Sequence, residues 1–407
     1  MTTRPKVRID IDFIPVIHEE KRMILIRDDV GLVQEGLALP QNLFEFVAML
    51  DGRRDIRDIQ MELMRRNGGN LFDTDEIRGL LEKLDSWYLL DSRHFRESLA
   101  RITAEFSALS VRPCAFSGRS YPGDKTELRA LLEEIISSAK APPNAVPSAI
   151  VAPHIDLAAG KTSYAAAYSL LKNTRPARVI VLGIGHRMTN GWFSLTLKDF
   201  ETPLGVAGCD REAVLRLQKP AGDTIADNDF VHKSEHSIEF QVLFLQHLLP
   251  PDSFSIVPIL CGALPADPES FGRDAYVEKA GGLLGALKTL TNDPGIPTLI
   301  LAGVDFSHIG LKFGHSTPAA SLEASASAHD RALLDRLAET DAAGFWQEIM
   351  RVKDRYNVCG FPALACLMEI LPPSSGAVLD YGIYREKATG SAVTFAAAAF
   401  RATERNP

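Results

Sequence analysis

The 407-residue sequence lacks the long apolar runs that membrane proteins need. A helix that spans a bilayer takes roughly 20 consecutive apolar residues, and no stretch of this chain approaches that length. The opening segment, MTTRPKVRID, also lacks the apolar core of a secretory signal. We therefore expect no membrane association and a cytoplasmic location.

Clustered positive charge is missing as well. Lys and Arg number 44 against 52 Asp and Glu, the net charge is −8 at pH 7, and the basic residues are dispersed along the chain. Binding to nucleic-acid phosphates usually requires a concentrated basic face. We therefore expect no nucleic-acid partner.

The cysteines show none of the paired spacings that mark disulfide frameworks. The five are Cys114, Cys209, Cys261, Cys359 and Cys366. We expect all of them to be reduced thiols, as is usual in the cytoplasm. The chain also lacks the Cys-x-x-x-Cys-x-x-Cys motif of radical S-adenosylmethionine enzymes, so it is not itself such an enzyme.

Residues 1–100 predict a small domain of their own. Apolar residues recur at helical spacing in three segments, QNLFEFVAMLDG (41–52), IRDIQMELMRR (56–66) and DEIRGLLEKLDSWYLLD (75–91). Two extended pieces, IDFIPVI and MILIRD, precede them. This pattern predicts an α+β, winged-helix-like domain that resembles the small PqqD-like modules, which hold peptides or partner proteins. A helical cap over the main domain is the alternative, and we interpret 92–108 as a linker.

Residues 110–402 alternate apolar strands with helical stretches. AIVAPHID (149–156), KTSYAAAYSLLKN (161–173) and ARVIVLGIGH (177–186) form a β-α-β unit, which implies parallel strands. Further strands are predicted at 194–205, 254–262, 297–308 and 391–400. We predict one α/β domain with a mostly parallel, mixed sheet flanked by helices.

Histidines collect where the predicted strands end. His154 ends the first strand of the β-α-β unit, His186 ends the second, and Asp305 and His308 end a later strand. In an open parallel sheet, ligands bind in the crevice beyond the carboxyl ends of the strands. The chain has only ten histidines, so three at strand ends indicate a site rather than isolated structural residues.

Cys359 lies just before the predicted helix ALACLMEIL. A helix N-terminus lowers the pKa of a nearby thiol, which makes Cys359 a thiolate ligand or a nucleophile. Cys366, inside that helix, and Cys261 are better explained as core packing. We expect Cys359 to join His154, His186 and His308 in one metal-binding pocket.

The segment HKSEHSIEFQVLFLQHLL (232–249) predicts an apolar helix with a polar first turn. Ser234 is the predicted cap, and Glu235 suits the positive end of the helix dipole. His236 and Glu239 are three residues apart and share a face. Capping with a solvated end is one interpretation. We favour a second, in which Glu235 or His236 reaches into the pocket to support a ligand or carry a proton.

Seven stretches carry a family resemblance. They are CAFSGRSYPGD (114–124), VAPHIDLAAGKTSYAAAY (151–168), VIVLGIGH (179–186), ETPLG (201–205), SEHSIEFQ (234–241), AGVDFSHIG (302–310) and NVCGFPA (357–363). In this order they resemble the Memo family, which includes component B of the AmmeMemoRadiSam system. The resemblance covers about residues 110–402 and leaves the N-terminal domain outside. It implies a fold related to the class III extradiol dioxygenases, which hold non-haem iron.

The resemblance also implies a site and partners. The implied metal ligands are His154, His186 and Cys359, with Asp305 and His308 beside them and His308 as the expected acid–base group. The expected metal is iron, with copper or zinc as alternatives. A radical S-adenosylmethionine enzyme and an AMMECR-type protein are the implied partners, and the N-terminal domain would present a peptide client.

Three functions stay open on the sequence alone. Two imidazoles and a thiolate leave a coordination position free, as a redox metalloenzyme such as an oxygenase needs, although a thiolate is itself open to oxidation. A hydrolase would instead bind zinc through His236 and Glu239, or use Cys359 as a nucleophile with His308 as its base. The third function is non-catalytic capture of a metal or a peptide.

Overall fold

The structure is a computed structural model that describes residues 4–18, 21–66, 68, 72–139, 146–267 and 269–403. The chain divides into two compact units, Met1–Ala108 and Leu109–Pro407. Within the described ranges, no helix combines the length and apolar character that crossing a membrane would take.

The first unit combines a small antiparallel sheet with helices. Its strands are β1 (Asp12–His18), β2 (Lys21–Arg27) and β3 (Ala38–Pro40), paired in that order. Its helices are α1 (Gln41–Val47), α2 (Ile56–Arg66), α3 (Thr74–Ser86) and α4 (Arg93–Ser107). The apolar faces of the helices close on the sheet around Leu39, Ile59 and Leu84, which are almost completely buried.

The segment 92–108 is not the linker that we predicted. Helix α4 occupies nearly all of it, and Ser92 caps the helix by accepting the N–H of Phe95 at 3.2 Å. Phe95 and Phe106 are both buried. The many charged residues on the exposed face of α4 conceal this apolar side in the sequence.

The second unit contains the larger set of elements. Its strands are β4 (Val111–Arg112), β5 (Ala149–Ala152), β6 (Arg178–Ile184), β7 (Phe193–Leu195), β8 (Asp199–Thr202), β9 (Gly205–Ala207), β10 (Ser255–Cys261), β11 (Thr298–Gly303), β12 (His308–Gly310), β13 (Ser374–Glu386) and β14 (Ser391–Ala402). Its helices are α5 (Lys125–Ser137), α6 (Lys161–Tyr168), α7 (Arg211–Ala221), α8 (His236–Leu248), α9 (Arg273–Thr291), α10 (Glu323–Ala338), α11 (Ala342–Arg351) and α12 (Phe361–Ile370).

A mixed sheet forms the centre of this unit. In the described part of the chain its strands follow the order β12-β14-β5-β11-β6-β10-β7, and β13 pairs with β14. The four central strands, β5, β11, β6 and β10, are parallel, and antiparallel strands extend the sheet on both sides. Helices α5, α6 and α8 cover one face, and α7, α9, α11 and α12 cover the other. The predicted α/β fold with a mixed, helix-flanked sheet is confirmed.

Two elements differ from the sequence prediction. The sequence does not predict strand β13, because its residues beside β14 are a mixture of partly buried and exposed positions and form no apolar run. The strand predicted at 297–308 is two strands, since β11 ends at Gly303 and His308 begins β12, which pairs with β14.

Candidate metal centre

Three side chains meet beyond the carboxyl ends of the central strands. His154 follows β5, His186 follows β6, and Cys359 precedes α12. The Nε2 atoms of His154 and His186 lie 3.4 Å and 3.3 Å from the Sγ atom of Cys359. A nitrogen and a sulfur bound tetrahedrally to one zinc-sized ion would be about 3.6 Å apart, given the usual bond lengths. The three donor atoms are therefore spaced as a shared metal ion requires.

Backbone hydrogen bonds place Cys359 against the segment that follows β11. The N–H of Cys359 donates to the carbonyl of Phe306 at 3.0 Å, and the N–H of Gly360 donates to that of Asp305 at 2.7 Å. A Cβ atom at Gly360 would lie 2.7 Å from the same Asp305 carbonyl, so the close approach requires glycine. Asn357 adopts the left-handed conformation with φ 49°. Its side-chain amide fixes the loop by donating to the carbonyl of His308 at 3.1 Å.

Each imidazole has an acceptor behind it. Nδ1 of His154 donates to the carbonyl of Gly303 at 2.9 Å, and Nδ1 of His186 donates to the carboxylate of Glu235 at 3.0 Å. With the proton held on Nδ1, the lone pair of a neutral ring lies on Nε2, the atom that faces Cys359. This is the arrangement by which proteins orient histidine ligands, and the residues present fit a metal ion.

Glu235, not Ser234, caps α8. The Glu235 carboxylate accepts the N–H of Ser237 at 2.9 Å and the N–H of His186 at 3.2 Å. The prediction of Ser234 was wrong by one residue, because a 3-10 turn over Phe230–Ser234 precedes α8 and moves its start. The same carboxylate therefore caps α8 and supports His186.

His236 lines the same pocket from the first turn of α8. Its ring stacks on that of His186 at a centroid distance of 5.0 Å, with 9° between the planes. It meets the ring of His154 edge-on at 5.1 Å, and its Nδ1 lies 3.3 Å from Glu235 Oε1. His186, Glu235 and His236 are themselves close enough to count as a second set of donor atoms.

Asp305 supports the opposite side of the pocket. Its Oδ1 accepts the N–H groups of His154 at 3.1 Å and of Ile155 at 3.2 Å, which holds the loop after β5. Its Oδ2 lies 3.6 Å from Nε2 of His154, and the residue is 2% exposed. A buried carboxylate oxygen therefore faces the donor atoms directly.

His308 makes its contacts elsewhere. Its Nδ1 donates to the carbonyl of Phe306 at 3.1 Å, and its ring meets that of Phe313 at 4.9 Å. No contact among the described residues joins the His308 ring to His154, His186 or Cys359. Six of the seven predicted side chains thus come together, and His308 stays with strand β12.

Opposite charges stabilise one another among the three donors. Burial alone would lower the pKa of His154, but Asp305 and the Cys359 thiolate raise it to about 9. Burial also opposes a charge on Cys359, yet His154 and His186 lower the pKa of this thiol to about 5. The pKa of His186 is raised against burial by Glu235 and Cys359. Without a metal, these shifts favour a thiolate between protonated imidazoles, and a cation can replace the protons of the rings.

Glu239 belongs to a separate buried cluster with Arg112 and Tyr121. Its fully buried carboxylate pairs with the buried guanidinium of Arg112 and accepts the hydroxyl of Tyr121. It also accepts the N–H groups of Ala115 at 2.9 Å and Phe116 at 3.0 Å. With these donors around it, Glu239 is not available to bind zinc beside His236. Sequence reasoning missed Arg112, whose only signal was its position just before the CAFSGRSYPGD stretch.

Comparison with known proteins places the chain in a family. The sequence profile described as "Memo-like protein" matches residues 112–399, more than half of the chain. A MEMO1 family protein of Aquifex aeolicus is 30% identical over 402 residues, which is 98% of this chain and 100% of the relative. The MEMO1 family protein TTHA0924 of Thermus thermophilus is 27% identical over 342 residues, 84% of this chain and 97% of the relative. The Aquifex match runs through the N-terminal unit as well. This chain belongs to the Memo-like family.

Proposed function

We propose that the second unit is a redox metalloenzyme in which His154, His186 and Cys359 hold one transition-metal ion. The observation that carries the proposal is the convergence of two imidazole Nε2 atoms on one thiol, with an acceptor behind each ring. Three protein ligands leave a coordination position for a further molecule, as catalytic metal sites do.

The chemistry of the three donor atoms limits which metal ions would bind well. A thiolate with two imidazoles is softer than the oxygen ligands that Mg²⁺ and Ca²⁺ prefer, and it suits iron, copper or zinc. We propose iron, because iron can change its oxidation state and bind a small molecule at the free position. Copper and zinc are the alternatives.

The surrounding side chains would orient the ligands and manage protons. Glu235 holds the Nδ1 proton of His186 and so fixes the plane of that ring. Asp305 Oδ2, 3.6 Å from Nε2 of His154, is placed to hold a proton next to the donor atoms. The rings of Phe116 and Phe240, 5.6 Å and 5.3 Å from that of His236, form an apolar wall beside the pocket.

The proposal is tested on protein purified without oxygen. We expect close to one equivalent of iron per chain and a new spectroscopic signal when nitric oxide occupies the free position. The variants His154→Ala and His186→Ala should each lose the metal. If both variants keep wild-type metal content and nitric oxide gives no signal, the metalloenzyme proposal is wrong.

A second candidate is a cysteine hydrolase that works without metal. The observation that favours it is the Cys359 thiol, whose pKa is lowered to about 5 between two imidazoles. Such a thiolate is a nucleophile, and a neighbouring imidazolium can donate a proton to a leaving group. His154 or His186 would fill that role, since His308 makes its contacts elsewhere. The two candidates separate with a chelator, which should abolish a metal-dependent activity and spare a thiol hydrolase.

We also propose partners for the first unit. Ile9, Ile17 and Met61 are 83%, 79% and 70% exposed, and each would suit contact with a peptide client or a protein. The proposed proteins are a radical S-adenosylmethionine enzyme and an AMMECR-type protein, and the free thiols are in keeping with a cytoplasmic setting. Co-purification with each protein under reducing conditions tests this. An Ile17→Glu variant that binds both as well as wild type would remove Ile17 from the proposal.

A further inference from the structure

A cavity lies, like the metal centre, beyond the carboxyl ends of the central strands. Its volume is about 490 Å³, within the range of small-molecule sites. The loop after β6, the end of β10 and helix α9 form its walls, which include Thr189, Trp192, Leu264, Pro265 and Lys279. None of the three candidate metal ligands lines it. Because ligands of α/β sheets bind beyond the carboxyl ends of the strands, the ends of β6 and β10 are a position where a ligand is expected.

Hydrogen bonds and a glycine hold the cavity wall in place. The N–H of Trp192 donates to the carbonyl of Thr224 at 2.7 Å, and the carbonyl of Trp192 accepts the N–H of Gly262 at 2.9 Å. Gly191 has φ +70°, and a Cβ there would lie 2.5 Å from the nitrogen of Ala226. The backbone beside Trp192 therefore requires glycine, and the indole is preformed for contact with a ligand.

A cation and an apolar surface lie side by side in the lining of this cavity. The Lys279 ammonium lies 4.8 Å from the ring centroid of Trp192, a cation–π contact that positions the charge. Leu264 and Pro265 add apolar surface beside the indole. Asp223 is the carboxylate nearest to Lys279, at 3.8 Å, but its side chain is 84% exposed, so water screens the pair. Lys279, itself 47% exposed, is thus available to pair with a ligand carboxylate.

We propose that this cavity binds a small carboxylate with an apolar body. The carboxylate would accept hydrogen bonds from the Lys279 ammonium, and the apolar body would lie against Trp192 and Leu264. Binding at this place goes beyond the function proposed for the metal centre and does not depend on it. The site would give the protein a second small-molecule ligand, one loop away from His186.

Calorimetric titration of the full chain with 3-phenylpropionate tests the proposal, with 3-phenylpropanamide as the uncharged probe of the same shape. We expect the acid to bind more tightly than the amide. Lys279→Met keeps the apolar stem and should weaken binding of the acid by up to about fivefold, the loss expected for an ion pair whose lysine is 47% exposed. Lys288→Met, an exposed position on the same helix, is the matched control and should have no effect.

Two further measurements distinguish this cavity from the metal centre as the place where the acid binds. A carboxylate could bind the metal instead, so the titration is repeated after metal removal, and affinity for the acid should persist. Asp223→Asn should strengthen binding, because it removes a negative charge from the cavity wall. Equal binding of acid and amide, loss of binding with the metal, or no binding of either probe would each overturn the proposal.

Discussion

Arg112 and Glu239 form an ion pair from which water is excluded, since neither side chain has any exposed surface. Arg112 also donates to the backbone carbonyls of His232 at 2.7 Å and Glu235 at 2.8 Å. Glu235 in turn holds His186. The pair therefore links strand β4 to the residues that orient a candidate metal ligand.

The first prediction concerns this pair. Glu239→Gln leaves the Arg112 charge buried without its partner, and breaking a buried pair typically costs about 3–5 kcal/mol of unfolding free energy. Chemical denaturation measures the change. Glu212→Gln is the matched control, because its i,i+4 pair with Arg216 is exposed and should contribute almost nothing. A Glu239→Gln variant as stable as the control would show that the buried pair does not stabilise the fold.

The second prediction separates the two cysteines near α12. Cys359→Ser replaces a thiolate donor with a hydroxyl that stays protonated at neutral pH, so metal affinity should fall by at least about a hundredfold. Cys366→Ala changes a fully buried thiol inside α12 and should leave the affinity unchanged. Competition with a chromophoric chelator gives both values. Equal affinities would remove Cys359 from the site.

The third prediction tests the support behind His186. Glu235→Gln weakens the acceptor for Nδ1, and loss of such a partner typically lowers metal affinity by about 10- to 100-fold. Glu235 also caps α8, so a control must perturb a cap elsewhere. Asp124→Asn changes the cap of α5, where Asp124 accepts the N–H groups of Thr126 and Glu127. An equal loss of affinity in both variants would indicate a general effect on folding.

The sequence predicted the parts of this site that depend on strand ends. His154 and His186 follow apolar strands of one β-α-β unit, and parallel strands bring their carboxyl ends to one edge of the sheet. Cys359 was recognised from its position before α12, although 173 residues separate it from His186. Local pattern and the rules of parallel sheets were sufficient for these three residues.

Other features depend on tertiary contacts that no local pattern contains. The start of α8 moved from Ser234 to Glu235 because the preceding 3-10 turn determines where the helix begins. The sequence of helix α4 predicts a linker because its exposed face is rich in charge. The role of Arg112 requires its partner Glu239, 127 residues away, so the sequence offered no neighbouring residue to indicate it.

The fourth prediction uses the reactivity of the thiols in metal-free protein. The pKa of Cys359 is lowered to about 5, so it stays a thiolate between pH 8 and pH 6 and its alkylation by iodoacetamide should change little over that range. The pKa of Cys114 is raised by burial, so its alkylation should slow by about tenfold for each pH unit. Peptide mass analysis separates the two sites. Parallel pH dependence of both rates would contradict the thiolate–imidazolium arrangement.

The last prediction combines metal binding with pH. The pKa of His154 is raised to about 9 in the metal-free protein, and that of His186 is raised as well. A metal ion must displace the protons that these rings carry, so affinity should fall as pH decreases, by up to about a hundredfold per unit where both rings are protonated. Near pH 5 the thiolate of Cys359 begins to take up a proton too, and affinity falls more steeply.

The stability of the metal-free protein should change with pH in the opposite direction to metal affinity: it should decrease as pH rises. A raised pKa of His154 stabilises the folded state fully below the unfolded value of about 6.5, and this contribution disappears as pH rises towards about 9. The increase in unfolding temperature caused by Zn²⁺ should therefore grow from pH 6 to pH 9. Over this range the metal-bound protein becomes more stable, whereas the metal-free protein becomes less stable. Asp305→Asn removes the carboxylate that does most to raise the pKa of His154. In this variant, the increase in unfolding temperature caused by Zn²⁺ should therefore reach its maximum at a lower pH. A stabilisation by Zn²⁺ that is the same at every pH would mean that neither imidazole gives up a proton to the ion.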